Sequence, residues 1–293
     1  MTEVAPGVSP SLKAEILIEA LPYIRRFWGS VVVVKYGGNA LAGDTGRDAL
    51  ASFASDVVLM RSVGMRPLVV HGGGPQIGAL MERLGKVPEF VDGLRVTDAE
   101  TLDIARMVLV GKINRDIVSA VNVHGPLAVG LSGEDAGLIA AEARDPVLGF
   151  VGNVVSVNPD LLNRLLAEDL IPVVATIGSD ATGQAYNINA DTAAGAIAEA
   201  VRATKLVYLT DVDGIRRDRH DPATRVSAAT GEDLEAMLND GTVDGGMIPK
   251  VRSCLHAVRN GVGQAHILDG THAHAVLLEI FTREGVGTMV SEA

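Results

Sequence analysis

Cys254 is the single cysteine among 293 residues. It has no partner for an intrachain disulfide, and one thiol is too few for a cysteine-based metal site. A reducing environment is the matching expectation. Aromatic residues are scarce as well, 3% against 47% hydrophobic. The core then falls to Val, Leu, Ile and Ala, which suits stacked α/β layers better than an aromatic-rich sandwich. No stretch approaches the roughly 18 uncharged apolar residues of a membrane span, and no basic segment followed by an apolar one opens the chain. These absences predict a soluble, cytoplasmic protein without a membrane partner. Net charge is −11, which argues against a general nucleic-acid binder but leaves local basic clusters free to hold phosphate or carboxylate. Neither G-x-x-x-x-G-K-[ST] nor G-x-G-x-x-G occurs, which disfavours a P-loop NTPase and a standard dinucleotide fold. H-E-x-x-H and a Ser-His-Asp arrangement are also missing. The seven histidines form no convincing metal set, so no protein-held metal is expected.

What is present centres on 31–39, VVVVKYGGN. Four consecutive valines predict a strand buried on both faces. That strand delivers Lys35 and a Gly37-Gly38 turn to one edge of a sheet, and in open α/β sheets ligands bind at the carboxyl ends of strands. On this stretch alone two readings stand side by side. One is a phosphate cradle of glycine N–H groups with a lysine point charge. The other is a plain turn with a solvated lysine. A helix is predicted over 47–64, then a second buried strand over 67–71 (PLVVH) that ends in Gly72-Gly73-Gly74-Pro75. The spacing suits a strand–helix–strand crossover, hence parallel strands whose glycine clusters share an edge. That coincidence favours the cradle.

Upstream, Ser9-Pro10 opens a helix over 11–28, with Leu17, Leu21, Ile24 and Trp28 on one face. Pro22 is expected to kink or split it. Its apolar face packs either on its own subunit or on another. Downstream, the pattern predicts a helix over 76–84, a hairpin-like segment over 86–96 and one helix from a Thr97 or Asp98 cap to about 124. Strands follow at 127–131 and 171–175, with a hairpin within 138–157 and a short helix over 159–169. The stretch 178–191 (GSDATGQAYNINAD) is polar and glycine-rich and follows the strand at 171–175, and Asn189 or Asp191 opens a small-residue helix over 192–201. KLVYLT (205–210) is the next strand, followed by Asp211, either a turn former or a site residue. Lys250 begins a helix reaching about 261, where the macrodipole disfavours a cation. Either an anion lies nearby or the lysine is an ordinary surface one. A strand at 266–269, a helix at 275–281 and an extended end at 287–290 complete the chain. Two lobes on one sheet fit better than two separate domains. Two lysines with Asp191 between them in sequence suggest electrostatic clamping of an anion in transfer, and phosphoryl transfer depends on positioning and charge rather than covalent help.

Six motifs occur in order: VVVVKYGGNAL (31–41), LVVHGGGPQI (68–77), DGLRVTD (92–98), YNINAD (186–191), LTDVDGI (209–215) and GGMIPKV (245–251). Together they resemble the amino acid kinase family. DGLRVTD and YNINAD resemble its members that phosphorylate N-acetyl-L-glutamate. The resemblance implies an α/β protein, a three-layer α/β/α sandwich around one mostly parallel sheet. It also implies an N-terminal helix arm over 1–30, an acetylglutamate-binding lobe over 31–203 and an ATP-binding lobe over 204–293. The implied reaction moves the ATP γ-phosphoryl group to the side-chain carboxylate of N-acetyl-L-glutamate, the second step of arginine biosynthesis, with Mg2+ carried by ATP. By the same resemblance Lys35 and Lys250 stabilise the group in transfer from opposite lobes, and Asp191 holds both ammonium groups. Gly72, Gly73, Arg95 and Asn187 bind acetylglutamate, and Gly37, Gly38 and Asp211 bind ATP. The carboxylate nucleophile is already ionised at neutral pH, so no general base is required. Arginine-inhibited members carry an extra N-terminal helix, which 9–28 resembles, and assemble as homohexamers, trimers of dimers. Tyr23, Lys205, His266, Glu279 and Gly287 are the implied contacts for L-arginine as inhibitor. Thr271 departs from the arginine that many relatives carry at that point. Length and DGLRVTD disfavour members acting on glutamate, aspartate, carbamate or UMP. The alternative from another class is a catalytically inactive arginine or nucleotide sensor.

Overall fold

A computed structural model describes residues 9–37, 46–218, 220–243, 245, 247–282 and 285–292. Gly38, one of the expected ATP contacts, lies outside the described residues. The strands are β1 (Val31–Tyr36), β2 (Arg66–His71), β3 (Phe90–Val91), β4 (Leu94–Arg95), β5 (Ala128–Ser132), β6 (Ile139–Ala143), β7 (Val151–Val157), β8 (Ile171–Ala175), β9 (Ile177–Ser179), β10 (Ala185–Ile188), β11 (Lys205–Thr210), β12 (Ala228–Thr230), β13 (Gln264–Asp269) and β14 (Thr288–Ser291). The helices are α1 (Pro10–Phe27), α2 (Gly46–Ser62), α3 (Gly74–Arg83), α4 (Ala99–Arg106), α5 (Asn114–Asn122), α6 (Asp160–Ala167), α7 (Ala190–Ala200), α8 (Gly231–Asn239), α9 (Met247–Arg259) and α10 (Ala275–Phe281).

Eight strands form one sheet in the order β12-β14-β13-β11-β1-β2-β8-β5. All neighbours run parallel except β13 and β14. The valine run of β1 sits at its centre, where side-chain alternation splits it between two cores. Val32, Val34 and Tyr36 join α2, α3, α4, α5 and α10 on one face. Val33 joins α6, α7, α8 and α9 on the other. These are the three layers of an α/β/α sandwich. Lys35 shares the Val33 side and so points toward α7 and α9.

Helix α7 approaches closely because its buried face is small: Ala193, Ala194, Gly195 and Ala198. Its start is capped by Asn189, whose Oδ1 accepts from the amides of Asp191 at 2.9 Å and Thr192 at 3.1 Å. The cap fixes the first turn, and Asp191 stands in it, where the helix dipole favours a carboxylate.

Several expectations need correction. Helix α1 is not split at Pro22. Its buried contact is Phe27, while Leu17, Leu21 and Trp28 are exposed. The single helix expected from 97 to 124 is interrupted by a π-helical stretch, Met107–Ile113. The polar, glycine-rich stretch 178–191, for which no strand was expected, contains β10 and part of β9, which with β6 and β7 close a small barrel. Alternation is hard to see in such short segments, and closure comes from partners distant in sequence. Strand β12 was not foreseen either.

Asn189→Ala is expected to cost about 1 kcal/mol of stability, seen as a lower denaturant midpoint at unchanged slope. An unchanged midpoint would show that the cap contributes nothing.

Candidate functional site

Asp191 gathers the two lysines. Lys35 Nζ lies 2.8 Å from its Oδ1 and Lys250 Nζ, from α9, lies 3.4 Å from its Oδ2. Burial by itself would push the Asp191 carboxyl up; the Lys35 and Lys250 charges outweigh it and hold the carboxyl below its ordinary value. The helix backbone at this point is tied in as well. The Asp191 carbonyl accepts from Ser253 Oγ at 3.0 Å and from the Tyr208 hydroxyl at 3.3 Å, and these two hydroxyls meet at 2.7 Å. Ser253 is on α9 with Lys250, so one helix delivers both the ammonium group and the brace.

The glycine turns border this group. Gly37 packs against the Leu209 carbonyl with the Lys35 ammonium beside it. Gly72 faces Ala190, the residue before Asp191. A Cβ on Gly73 would press into the tips of Ile113 and Leu109, so the two side chains close directly on this glycine. Gly73 then caps α3 without a side chain, leaving the first amides of that helix as backbone donors.

Arg95 ends the β3–β4 hairpin and bends back onto the same turn. Its Nη2 donates to the Gly74 carbonyl at 2.8 Å, and its guanidinium covers the Phe90 ring at 4.7 Å. Burial lowers its pKa, a shift without effect near neutrality for a guanidinium. Asn187, in β10, reaches it indirectly. Its Nδ2 donates to Thr97 Oγ1 at 3.4 Å, and that hydroxyl donates to the Arg95 carbonyl at 2.9 Å.

Asp211 follows β11 and accepts from Thr210 Oγ1 at 3.1 Å. It lines an open cleft of about 990 Å³ that also includes Asp213, Lys250 and Asp269. Lys35, Lys250, Asp191, Gly37, Gly72 and Asp211 therefore converge on the carboxyl edge of the sheet.

The second set lies at the other end of the same strands. Lys205 begins β11 and donates to Gln264 Oε1 at 2.6 Å and to His266 Nε2 at 2.9 Å. His266 Nδ1 donates to Glu279 Oε1 at 2.7 Å, and Glu279 Oε2 accepts from the amides of Val286 and Gly287 at 2.7 and 3.1 Å. Burial lowers the Lys205 ammonium to about 8, with Glu279 opposing and Arg26 adding to the shift. Helix α1 meets this cluster through the Phe27 ring, 5.0 Å from Lys205 Nζ. Tyr23 is half-buried on the same helix.

An open parallel sheet that brings two ammonium groups to one buried carboxylate, beside a run of backbone donors, is an α/β/α protein built to handle anions. The chain belongs to the amino acid kinase family, whose sequence model matches residues 30–269. It is 53% identical to an acetylglutamate kinase of Symbiobacterium thermophilum over 287 residues, 95% of this chain and 97% of that one. An N-acetylglutamate synthase from Neisseria gonorrhoeae complexed with coenzyme A and N-acetyl-glutamate superposes with a TM-score of 0.84 at 25% identity. The match takes in 96% of this chain but 63% of that one, so this chain spans under two thirds of the synthase. The same synthase complexed with coenzyme A and L-arginine gives a TM-score of 0.81, also at 25% identity, over 96% of this chain and 65% of that one.

Sequence reading missed Ser253, Tyr208 and Asn114, which have no motif of their own and matter only through partners far along the chain, and it took Thr97 only as a helix cap. His71 is fully buried, and burial, aided by the Arg115 charge and opposed by the Gly72 carbonyl, lowers its imidazole to about 4. An unfolded chain takes up that proton below about pH 6.5, while the folded chain resists until about 4. The group therefore subtracts stability as pH falls through this window. Between about pH 7 and about pH 5 the native protein is expected to lose about 2 kcal/mol more than the His71→Asn variant, measured by denaturant titration at both values. Equal losses would mean that His71 ionises as readily folded as unfolded.

Proposed function

We propose that this chain transfers the γ-phosphoryl group of ATP to the side-chain carboxylate of N-acetyl-L-glutamate, the second step of arginine biosynthesis. The observation that carries the reading is the convergence of Lys35 and Lys250 on Asp191 beside the Gly72-Gly73 turn. One carboxylate shared by two ammonium groups leaves a positive charge that it does not neutralise, suited to a phosphoryl group in transfer. In this reading Lys35 and Lys250 meet the phosphoryl oxygens while Asp191 fixes both ammonium positions. Gly37, Gly38 and Asp211 border ATP. Gly72 and Gly73 face the reacting groups with their amides, and Arg95 and Asn187 hold the α-carboxylate of acetylglutamate. The sequence divides accordingly, with the acceptor on 31–203, the nucleotide on 204–293 and a helix arm over 1–30. Among the described residues no three His, Cys, Asp or Glu side chains cluster as a metal site. The donors present, two lysines and one carboxylate already paired with them, suit Mg2+ held by ATP phosphates and water rather than a protein cage. When bound, that ion neutralises phosphate charge.

The test is ADP formation with N-acetyl-L-glutamate, run beside glutamate, aspartate, carbamate and UMP. Selective turnover of acetylglutamate is expected, and Lys35→Arg and Lys250→Arg each lower kcat by about a hundredfold, since a planar fork does not replace a compact charge. Near-normal kcat in either variant removes that lysine from the mechanism. Absence of turnover with every acceptor, in folded protein, favours a sensor.

The regulatory part of the reading is L-arginine inhibition in a homohexamer, a trimer of dimers. Two observations support it. Leu12, Ile16, Leu17, Ile18 and Leu21 are exposed on α1, five large apolar side chains that a partner surface would cover. Phe27, at the end of that helix, packs over Lys205, which together with His266, Glu279 and Gly287 forms the candidate arginine site alongside Tyr23. Removal of residues 1–22, which keeps Phe27, is expected to give dimers by light scattering with weakened arginine inhibition. A truncated protein that stays hexameric and equally inhibited overturns the assignment.

A further inference from the structure

The turn carrying Gly72 and Gly73 is held from behind by a buried relay. His71 ends β2 and Asn114 begins α5, both fully buried. The neighbours of Asn114 fix its orientation, because each side offers one kind of group. Arg115, a donor only, gives its Nη2 hydrogen to Asn114 Oδ1. The carbonyls of Val173 at 2.8 Å and Leu131 at 3.3 Å, acceptors only, face Asn114 Nδ2. The amide therefore directs its NH2 group at His71 Nε2, 3.2 Å away. That nitrogen accepts, so the proton of the neutral ring sits on Nδ1, which donates to the Gly72 carbonyl at 3.2 Å. The relay needs room: a Cβ on Gly130 would lie 1.7 Å from Arg115 Nη2 and 2.0 Å from Asn114 Oδ1. The π-helical stretch ends at Ile113, next to Asn114, and its Leu109 and Ile113 close on Gly73.

A carbonyl held this way sets the amide that follows it. In a trans peptide C=O and N–H point to opposite sides. With the Gly72 carbonyl turned inward to His71, the Gly73 N–H turns outward. We propose that His71, oriented by Asn114 and Arg115, is a positioning residue for the transfer: it turns the Gly72–Gly73 peptide so that the Gly73 N–H donates to an oxygen of the reacting anion. This rests on the reading that places the glycine turn at the site of transfer.

Two substitutions separate this role from simple packing. His71→Asn keeps an N–H donor where Nδ1 stood, and His71→Gln keeps an acceptor, its Oε1, where Nε2 stood. Each removes one of the two ring contacts, so both lower the melting temperature by similar amounts. In H71N, kcat is expected to stay within about threefold of the native value, while H71Q loses about tenfold or more, in kcat rather than in KM for acetylglutamate. The Gly73 amide resonance, followed in 15N-glycine-labelled protein, shifts in H71Q and holds in H71N. Equal kcat in the two variants, or kcat falling in step with melting temperature, overturns the proposal. A shifted Gly73 resonance with kcat unchanged also overturns it, since the peptide then turns without serving the reaction. Loss of activity in the Lys35 and Lys250 variants alongside unaffected H71Q would leave the phosphotransferase reading standing while this one falls.

Discussion

A buried carboxylate shared by two ammonium groups is the constraint on which the site depends. Asp191 is withdrawn from water, and an isolated charge there would be costly. Lys35 and Lys250 resolve that cost and in doing so become located themselves, one from the centre of the sheet and one from α9. The rest of the local structure follows from keeping these three atoms groups apart by hydrogen-bond distances. Asn189 caps α7, small residues let α7 lie close, and Ser253 and Tyr208 brace the Asp191 backbone. Removing either lysine alone would therefore disturb the position of the other as well as the charge.

The sheet separates two polar clusters by the length of a strand. Strand β11 begins at Lys205 and its last residue, Thr210, precedes Asp211. β13 runs beside it, with His266 toward one end and Asp269 at the other. A change at the Lys205–His266–Glu279 cluster acts on strands whose far ends line the cleft with Lys250. Helix α10 adds a second link. It carries Glu279, and the loop before it brings His274 Nδ1 to 2.5 Å from Asp56 Oδ1 on α2. Burial raises the Asp56 carboxyl, and the His274 hydrogen bond and charge oppose this. The two halves of the sheet are thus joined by a polar contact in addition to the β1–β11 pairing.

How much of this was readable from the sequence depends on how local each signal is. The valine run of β1 announces a central buried strand because burial on both faces leaves no polar alternation, and β2, β8 and β11 are legible for the same reason. The glycine clusters share an edge because both strands are parallel, which connection length already implies. Lys35, Asp191 and Lys250 were singled out in the sequence, but their meeting on one carboxylate was implied by family resemblance rather than by spacing. Half of the barrel was legible as the hairpin expected within 138–157, which is β6 with β7; its closure by β9 and β10 was not, because these short strands of mixed polarity pair with partners up to several elements away. The π-helical turn was invisible too, since its sequence, MVLVGKI, suits an ordinary helix. What the turn accomplishes, bringing Asn114 beneath His71 and Ile113 against Gly73, exists only in three dimensions.

In the proposed regulatory reading, helix α1 ties assembly to the second cluster through one short length of chain. An apolar helix surface exposed to water is unfavourable by the area it leaves uncovered. Leu12, Ile16, Leu17, Ile18 and Leu21 stay between 44% and 69% exposed, whereas Phe27 is buried. The helix is therefore anchored at Phe27 and largely exposed ahead of it, which is what the proposed arm to another copy requires. Its anchor is the ring that covers Lys205, whose ammonium is already lowered by burial. Any shift of the helix at that anchor alters how much water reaches Lys205 and the His266–Glu279 pair behind it. In the proposed regulatory reading, a ligand that prefers one position of Phe27 acts on both the arm and the cluster.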